Sequence, residues 1–456
     1  MKQVIVGGGL AGLVAAATLL RQVPGKDILI LEREVTLGGL LAGAHYPEQG
    51  LYFDRGTHLF RETGVTEIDA LLQKMAGEEN IRMFSSSQGG HAGAIYQGRL
   101  QHNSHFPDVR QHPGRQAMLD EVWGVVAGTQ PIRPITTFEA IMDVALERFG
   151  EAYVNAVLSP ILSQLFKRPV SELAGFAALL CGLTRLVGCD RQEWLAKCGD
   201  GRFRELVAVP DQREMPVSFA NTLRRYYFSG GTAGFVESAA RYLTAQGVRI
   251  IRQARELSCD IEARNVAWLD ERGDAFEEEF AQLILTNGVV GAARQLNIDL
   301  SSFGFERPIL HRLVHMQLAC PVESDLCYFY AFDPGFDFFR ITNYRAFSGD
   351  PDDRRITIEI LASEHLADAE LASVMEEQLG RIGLCRPGSV LWFDVQRLHT
   401  GFPVPTVNNM KAMRVLDEHL QQSLPAYVRL CGVGVGGGVF FQNEVIQNVF
   451  QTLSNE

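Results

Sequence analysis

The chain opens on an unbroken apolar triplet, Val4-Ile5-Val6, followed at once by Gly7-Gly8-Gly9 and then by a small-residue apolar run from Leu10 to Leu20. A short apolar run that ends in glycine predicts a strand buried on both faces, and the run behind it predicts a closely packed helix. Similar apolar runs occur at Ile28–Leu31 and at residues 283–285 before Thr286-Asn287-Gly288, and largely apolar runs broken by one arginine occur at residues 248–251 and at residues 427–430 before Cys431-Gly432. Strands of this kind separated by helical stretches predict a parallel α/β sheet. Between about residues 300 and 394 the pattern changes to alternation, at 313–318, 327–332, 338–343 and 355–360, which predicts an antiparallel sheet. Residues 137–225 instead keep helical spacing, first through Phe138, Ile141, Met142, Ala145 and Phe149, then through Tyr153, Val157, Ile161 and Leu165, with Pro160 as a kink or restart. Residues 62–76, 367–382, 413–424 and the stretch from Glu444 predict further helices. The charge-rich segment 190–213 reads as an exposed connection, with a flap over an anionic substrate as the alternative.

Composition narrows the picture. A chain of 456 residues suggests two or three domains, and 46% hydrophobic with 21% charged residues is an ordinary globular balance. The formal net charge of -12 argues against nucleic acid and against an acidic membrane surface as partners. Eight scattered cysteines without a C-x-x-C pair read as reduced, buried small hydrophobes. Lys2 and the alanines at 15–17 imitate a secretory signal, but the glycine spacing outweighs that reading. No other stretch approaches bilayer-spanning length, so a cytoplasmic protein without a transmembrane segment is expected. The histidines near residue 102 lie in a Gly- and Pro-rich loop, His311 and His315 read as structural, and no metal site is expected.

Gly7, Gly9 and Gly12 fall as G-x-G-x-x-G between the first strand and helix. Gly7 permits the turn, Gly9 lets a pyrophosphate approach the backbone, and Gly12 lets the helix close on the sheet. Leu10 and Ala11 then lie in a first helical turn, whose free N–H groups suit a phosphate. About twenty residues beyond Gly12, Glu32 ends the second strand, where a carboxylate accepts ribose hydroxyls. With Arg33 and Gly38-Gly39-Leu40, the pattern resembles the FAD-binding motif of the flavin amine oxidase, protoporphyrinogen oxidase and UDP-galactopyranose mutase superfamily.

That resemblance runs through most of the chain. GLYFDRGTHLF resembles the FDxGxH segment beside the flavin ring, which implies Gly56, Thr57 and His58 as flavin neighbours. Tyr96-Gln97-Gly98-Arg99 is similar to the hairpin that opens the substrate region. FGEAYVNAVLSPILSQLFKRPVSEL resembles the helical insert, and the turn at 228–235 resembles the return to the FAD domain. Leu257 falls where relatives clamp the adenine, and Asn287 where the nucleotide half meets cofactor again. Phe338 to Tyr344 resembles the R-x-T-E-x strand of the mutases, with Asn343 in place of the acid. Arg340 on that strand is expected either to contact substrate or flavin or to form an ion pair. Residues 397–405, with His399, resemble the segment leading back to the flavin. The glycines from Gly432 to Gly438, then Phe441, Asn443 and Val445, resemble the closing motif whose helix start faces the flavin pyrimidine edge. The implied catalytic candidates are His58, Arg340, Tyr344 and His399.

The expected architecture is α/β: a Rossmann-like FAD-binding domain from residues 1–95, 228–299 and 396–456, a substrate hairpin at 96–115, a helical insert at 116–227 and an antiparallel substrate-binding sheet at 300–395. The function it implies is FAD-dependent oxidation of a C–N or C–C bond of a small-molecule substrate by hydride transfer to flavin N5. A redox-neutral UDP-sugar mutase is the alternative, although the closing turn lacks the arginine and tyrosine mutases carry there. A flavin-binding protein without catalysis is the third reading. A homodimer is compatible with all three.

Overall fold

A computed structural model describes residues 1–84, 90–361, 366–437 and 439–454, with the backbone alone at 399–401 and 437. The chain divides into two compact units, one built from residues 1–84, 223–305 and 411–456, the other from 85–222 and 306–410.

The first unit carries the parallel sheet. Its strands lie in the order Arg249–Ile251, Ile28–Leu31, Lys2–Val6 and Ala275–Leu285, with Val428–Leu430 also parallel to the last. Alternate residues explain why Val4–Val6, Ile28–Leu31 and Leu283–Leu285 are apolar throughout. Ile5, Ile28, Ile30 and Ile284 enter one core, with Leu13, Phe235 and Val449. Val4, Val6, Leu29, Leu31, Leu283 and Leu285 enter another, with Val289, Leu416 and Leu420. A strand covered on both faces has no polar side to show. An antiparallel arm extends from this sheet, Asn265–Leu269 against the first half of Ala275–Leu285.

The second unit holds a seven-stranded sheet in the order Val390–Phe402, Ile309–Leu318, Arg355–Leu361, Arg340–Asn343, Leu326–Ala331, His91–Tyr96, Arg99–Gln101. All neighbours are antiparallel except His91–Tyr96 with Leu326–Ala331. Its two faces differ as strand alternation requires. Ala94, Tyr96, Tyr330 and Phe339 meet the helical core, whereas Ile95, Phe329, Ile341 and Ile358 meet Leu371, Met375 and Leu379 of helix Asp368–Arg381.

Two expectations change. The units divide at 84, 222, 305 and 410 rather than at 95, 227, 299 and 395. The reason is strand pairing: His91–Tyr96 and Val390–Phe402 both belong to the antiparallel sheet. Consequently His399 stands on a strand of the second unit, and its side chain lies outside the described residues, as does Gly438. Segment 190–213 is neither loop nor flap but includes two helices, Arg191–Lys197 and Gly201–Leu206, anchored by buried Trp194, Phe203 and Leu206. The restart at Pro160 follows a π-helical stretch, Val154–Leu158, after which Ser159–Phe166 continues as α-helix. Among the described residues, no helix is long and apolar enough to cross a membrane.

Candidate dinucleotide site

The parallel strands all end on turns at their carboxyl edge, where open α/β sheets bind ligands. The glycines of the first turn do different physical work. Gly7 has φ +106°, and a Cβ there would come within 2.9 Å of Thr286 Oγ1. A Cβ on Gly12 would lie 1.9 Å from Gly7 O, so close packing alone demands glycine. Gly9 is different: its Cβ would meet only Gly38 O, at 3.9 Å. Gly39 likewise faces open space, with Gly9 Cα at 3.7 Å as its one near atom. The two turns are joined by the Gly9–Gly38 bridge and by Gly38 N–H donating to Gly8 O at 2.8 Å. Two open glycine faces side by side, next to the N–H groups of Leu10, Ala11 and Gly12 in the first helical turn, form a cradle for a phosphate-sized anion.

Two side chains brace this cradle. Glu32 Oε2 accepts from Gly8 N–H at 2.7 Å and its Oε1 from Glu34 N–H at 2.8 Å. Each oxygen keeps a lone pair for a ribose hydroxyl. Thr286 Oγ1 lies within hydrogen-bond reach of Val6 O, 2.9 Å, and Gly7 O, 3.0 Å, and so pins the turn to the neighbouring strand. Asn287 follows it, exposed, before helix Gly288–Gln295. Gly432, φ +106°, packs against this same turn, 3.2 Å from Thr286 O when given a Cβ.

Arg55 is a group that no motif in the sequence singles out. Its Nη1 donates to Gly39 O at 3.1 Å, while its Nε is buried without a hydrogen-bond partner. Burial lowers its pKa, against the pull of Glu34 and Tyr46. A guanidinium left with an unanswered buried N–H beside the glycine cradle fits an anionic cofactor group. No local spacing signals this, because Arg55 and Gly39 meet only through folding.

The segment around it is firmly held. Asp54, buried, accepts from Tyr227 Oη at 2.6 Å, from Thr232 N–H at 2.9 Å and from Thr232 Oγ1 at 3.0 Å. Gly56 takes φ +95° directly after Arg55, and Thr57 is half-buried. His58 Nδ1 faces Gln442 Nε2 at 2.7 Å, and His58 Nε2 faces Arg55 O at 3.1 Å. With the Gln442 amide donating, Nδ1 accepts and the ring proton sits on Nε2. His58 therefore ties the early turn to the closing helix across 384 residues of chain.

Several expected site residues are corrected. Arg33 is 75% exposed at its side chain and pairs with Glu34 at 3.2 Å, so it adds no charge to the cradle. Leu40, by contrast, keeps its place beside Gly39, where it is 56% exposed and presents an apolar surface. The chain beside Glu32 is residues 251–254, with Glu32 N–H donating to Ile251 O and Ala254 N–H to Glu32 O, both 2.9 Å, and Leu257 follows three residues on. The Leu257 carbonyl is already used by Gln295 Nε2 at 2.6 Å. Val445 is buried, and its N–H is spent on Phe441 O at 2.9 Å. Gln442 and Asn443 thus hold the first-turn positions of the closing helix. Glu444 Oε2 accepts from Phe440 N–H at 2.9 Å and Phe441 N–H at 2.8 Å, a capping carboxylate that partly offsets the positive helix end.

In the second unit, Arg340 Nε and Nη2 donate to Glu359 Oε1 and Oε2 at 2.6 and 2.9 Å. Although burial works the other way, Arg340 and His311 hold the Glu359 carboxyl well below the usual range. The ion-pair reading of Arg340 is the one realised. Tyr344 is fully buried with its hydroxyl 2.9 Å from Thr357 Oγ1, which leaves no face for a substrate. Neither residue is therefore retained as catalytic.

A family model for an NAD(P)-binding Rossmann-like domain matches residues 5–75. No curated protein matches the chain. Solved structures share its fold over nearly the whole length. Reduced UDP-galactopyranose mutase is 15% identical, covers 99% of this chain and 94% of that one, and has a TM-score of 0.72. A fatty acid isomerase from P. acnes that produces CLA is 14% identical, with 99% and 98% covered and a TM-score of 0.60. Cyclohexylamine oxidase from Brevibacterium oxydans IH-35A is 13% identical, with 99% and 98% covered and a TM-score of 0.60. The fold is thus the one that the amine oxidase and mutase resemblance implies, and it hosts three different reactions.

Proposed function

We propose that this chain is an FAD-dependent oxidoreductase that removes a hydride from a C–N or C–C bond of a small organic substrate. The observation that carries the reading is the pair of open glycine faces, Gly9 and Gly39, with the unanswered Arg55 Nε beside them. In this reading the N–H groups of Leu10, Ala11 and Gly12 and the Arg55 guanidinium hold the pyrophosphate. Glu32 takes the ribose. Gly56, Thr57 and His58 line the ring, and Gln442 and Asn443 offer N–H groups at its pyrimidine edge. Bound FAD supplies a ring that accepts hydride at N5. His58, with both nitrogens engaged, orients the Arg55 turn and is a positioning residue.

The test is spectral. The purified protein is expected to be yellow, or to take up FAD on reconstitution, and to be bleached anaerobically by an amine or another reduced organic substrate. A colourless protein that takes up no flavin refutes the reading. Interconversion of UDP-galactopyranose only after dithionite reduction would replace oxidation with mutase chemistry. Flavin uptake without bleaching by any substrate class would leave a binding protein.

A further inference from the structure

In the helical unit three chain segments run side by side in parallel. Val109 N–H donates to Val187 O and Val187 N–H to Pro107 O, both at 2.9 Å, while Leu186 N–H donates to Leu206 O at 3.1 Å and Ala208 N–H to Leu186 O at 2.8 Å. Parallel pairing brings their leading residues to one end. Phe106, Arg185, Arg204 and Glu205 therefore gather there.

The charges at this end do not balance. Glu205 is answered by Arg148, whose Nη1 donates to Glu205 Oε1 at 2.8 Å and to Arg133 O at 2.6 Å. Arg204 donates to Cys198 O, and its guanidinium lies 4.6 Å from the Phe219 ring centroid. Arg185 is half-buried with its guanidinium carbon 5.8 Å from the Phe106 ring centroid. Among the described residues, no carboxylate pairs with it and no acceptor takes a hydrogen bond from it. Burial lowers its pKa, Arg148 and Arg204 push the same way, and only Glu205 opposes them.

An aromatic ring under a guanidinium attracts it only weakly. It cannot substitute for hydrogen bonds to five N–H donors. A partly desolvated cation among like charges is stabilised by an anion that completes it. The chain as a whole carries -12, so this local excess of positive charge runs against its general balance.

We propose that Arg185, backed by Arg204, forms an anion-binding site of the helical unit that takes the carboxylate or phosphate group of a small molecule. The planar guanidinium offers two parallel N–H donors to such a group. Phe106 gives the site an apolar floor.

Calorimetric titration of the full chain with sodium phosphate and, separately, with sodium acetate tests this, with ionic strength held constant by sodium chloride. Saturable binding of at least one of the two anions is expected, weakened at least about tenfold in Arg185→Gln and less in Arg204→Gln. The two arms tell a phosphate site from a carboxylate site. Wild-type protein that binds neither anion overturns the proposal, and so does Arg185→Gln that binds as tightly as wild type. The second outcome would also appear if phosphate sat only at the glycine cradle. Should Arg185→Gln fail to fold, phenylglyoxal labelling of wild type decides: phosphate or acetate is expected to protect Arg185, and no protection overturns the site. Flavin uptake plays no part in these readouts, so the redox reading and the anion site can fail separately.

Discussion

Gly9 and Gly12 stand three residues apart in one motif, yet substituting each by alanine should break different things. At Gly12 the new Cβ would lie 1.9 Å from Gly7 O, with Gly7 C at 3.0 Å and Thr286 Oγ1 at 3.2 Å. The intruded atoms are mostly backbone, so relief requires moving helix Leu10–Leu19 off the sheet or opening the turn. Overpacking of this kind costs about 1–3 kcal/mol, and so short a contact belongs at the upper end. At Gly9 the backbone sits at φ -74° and ψ -172°, which alanine adopts freely, and its Cβ has no contact closer than 3.9 Å. Loss of glycine as N-cap costs about 0.5–1 kcal/mol, and the lower entropy of the unfolded chain returns about as much. Apo stability should therefore barely change, while the methyl group fills the space assigned to the pyrophosphate. The assay is urea unfolding of both apo variants followed by FAD titration. Gly12→Ala should lose about 3 kcal/mol. Gly9→Ala should unfold like wild type and bind FAD at least about tenfold more weakly, as expected when a charge-assisted phosphate contact is lost. FAD affinity in Gly9→Ala equal to that of wild type would refute the cradle, and wild-type stability in Gly12→Ala would refute the packing argument.

Three further outcomes follow from named contacts. Arg55→Gln removes the guanidinium on Gly39 O and should weaken FAD binding about 10- to 100-fold with the apo melting temperature unmoved; an unchanged dissociation constant counts against it. Glu359→Gln strips the charge from a buried pair and should cost about 3–5 kcal/mol at neutral pH. Because the folded-state pKa of Glu359 is depressed, its contribution is complete above the unfolded value of about 4.3 and disappears as pH falls towards the folded value. Wild-type and variant melting temperatures should thus converge in acid, and parallel curves would contradict the pairing. Glu444→Gln keeps the cap on Phe440 and Phe441 but removes its charge, so the midpoint potential of FAD-loaded protein should rise; a fall would show that the carboxylate does not oppose negative charge there.

The residue order by itself determined the local backbone and the division between interior and surface. Apolar triplets before glycine became strands because a strand covered on both faces cannot carry polar residues, and Gly7 and Gly12 announced a turn that admits no side chain there, whereas Gly9 keeps an open face. Alternation from residue 313 onward marked the antiparallel sheet for the same reason, one face to each core. What only tertiary structure decided was which polar groups answer one another. Arg340 could face a substrate or an acid until Glu359 proved to stand across the neighbouring strand. Folding sets Arg55 against Gly39, and His58 gains its partner from Gln442 at the far end of the chain. Burial leaves a periodic trace along the sequence. A hydrogen bond between distant segments leaves none, since its partners are adjacent only once the sheets and helices have packed.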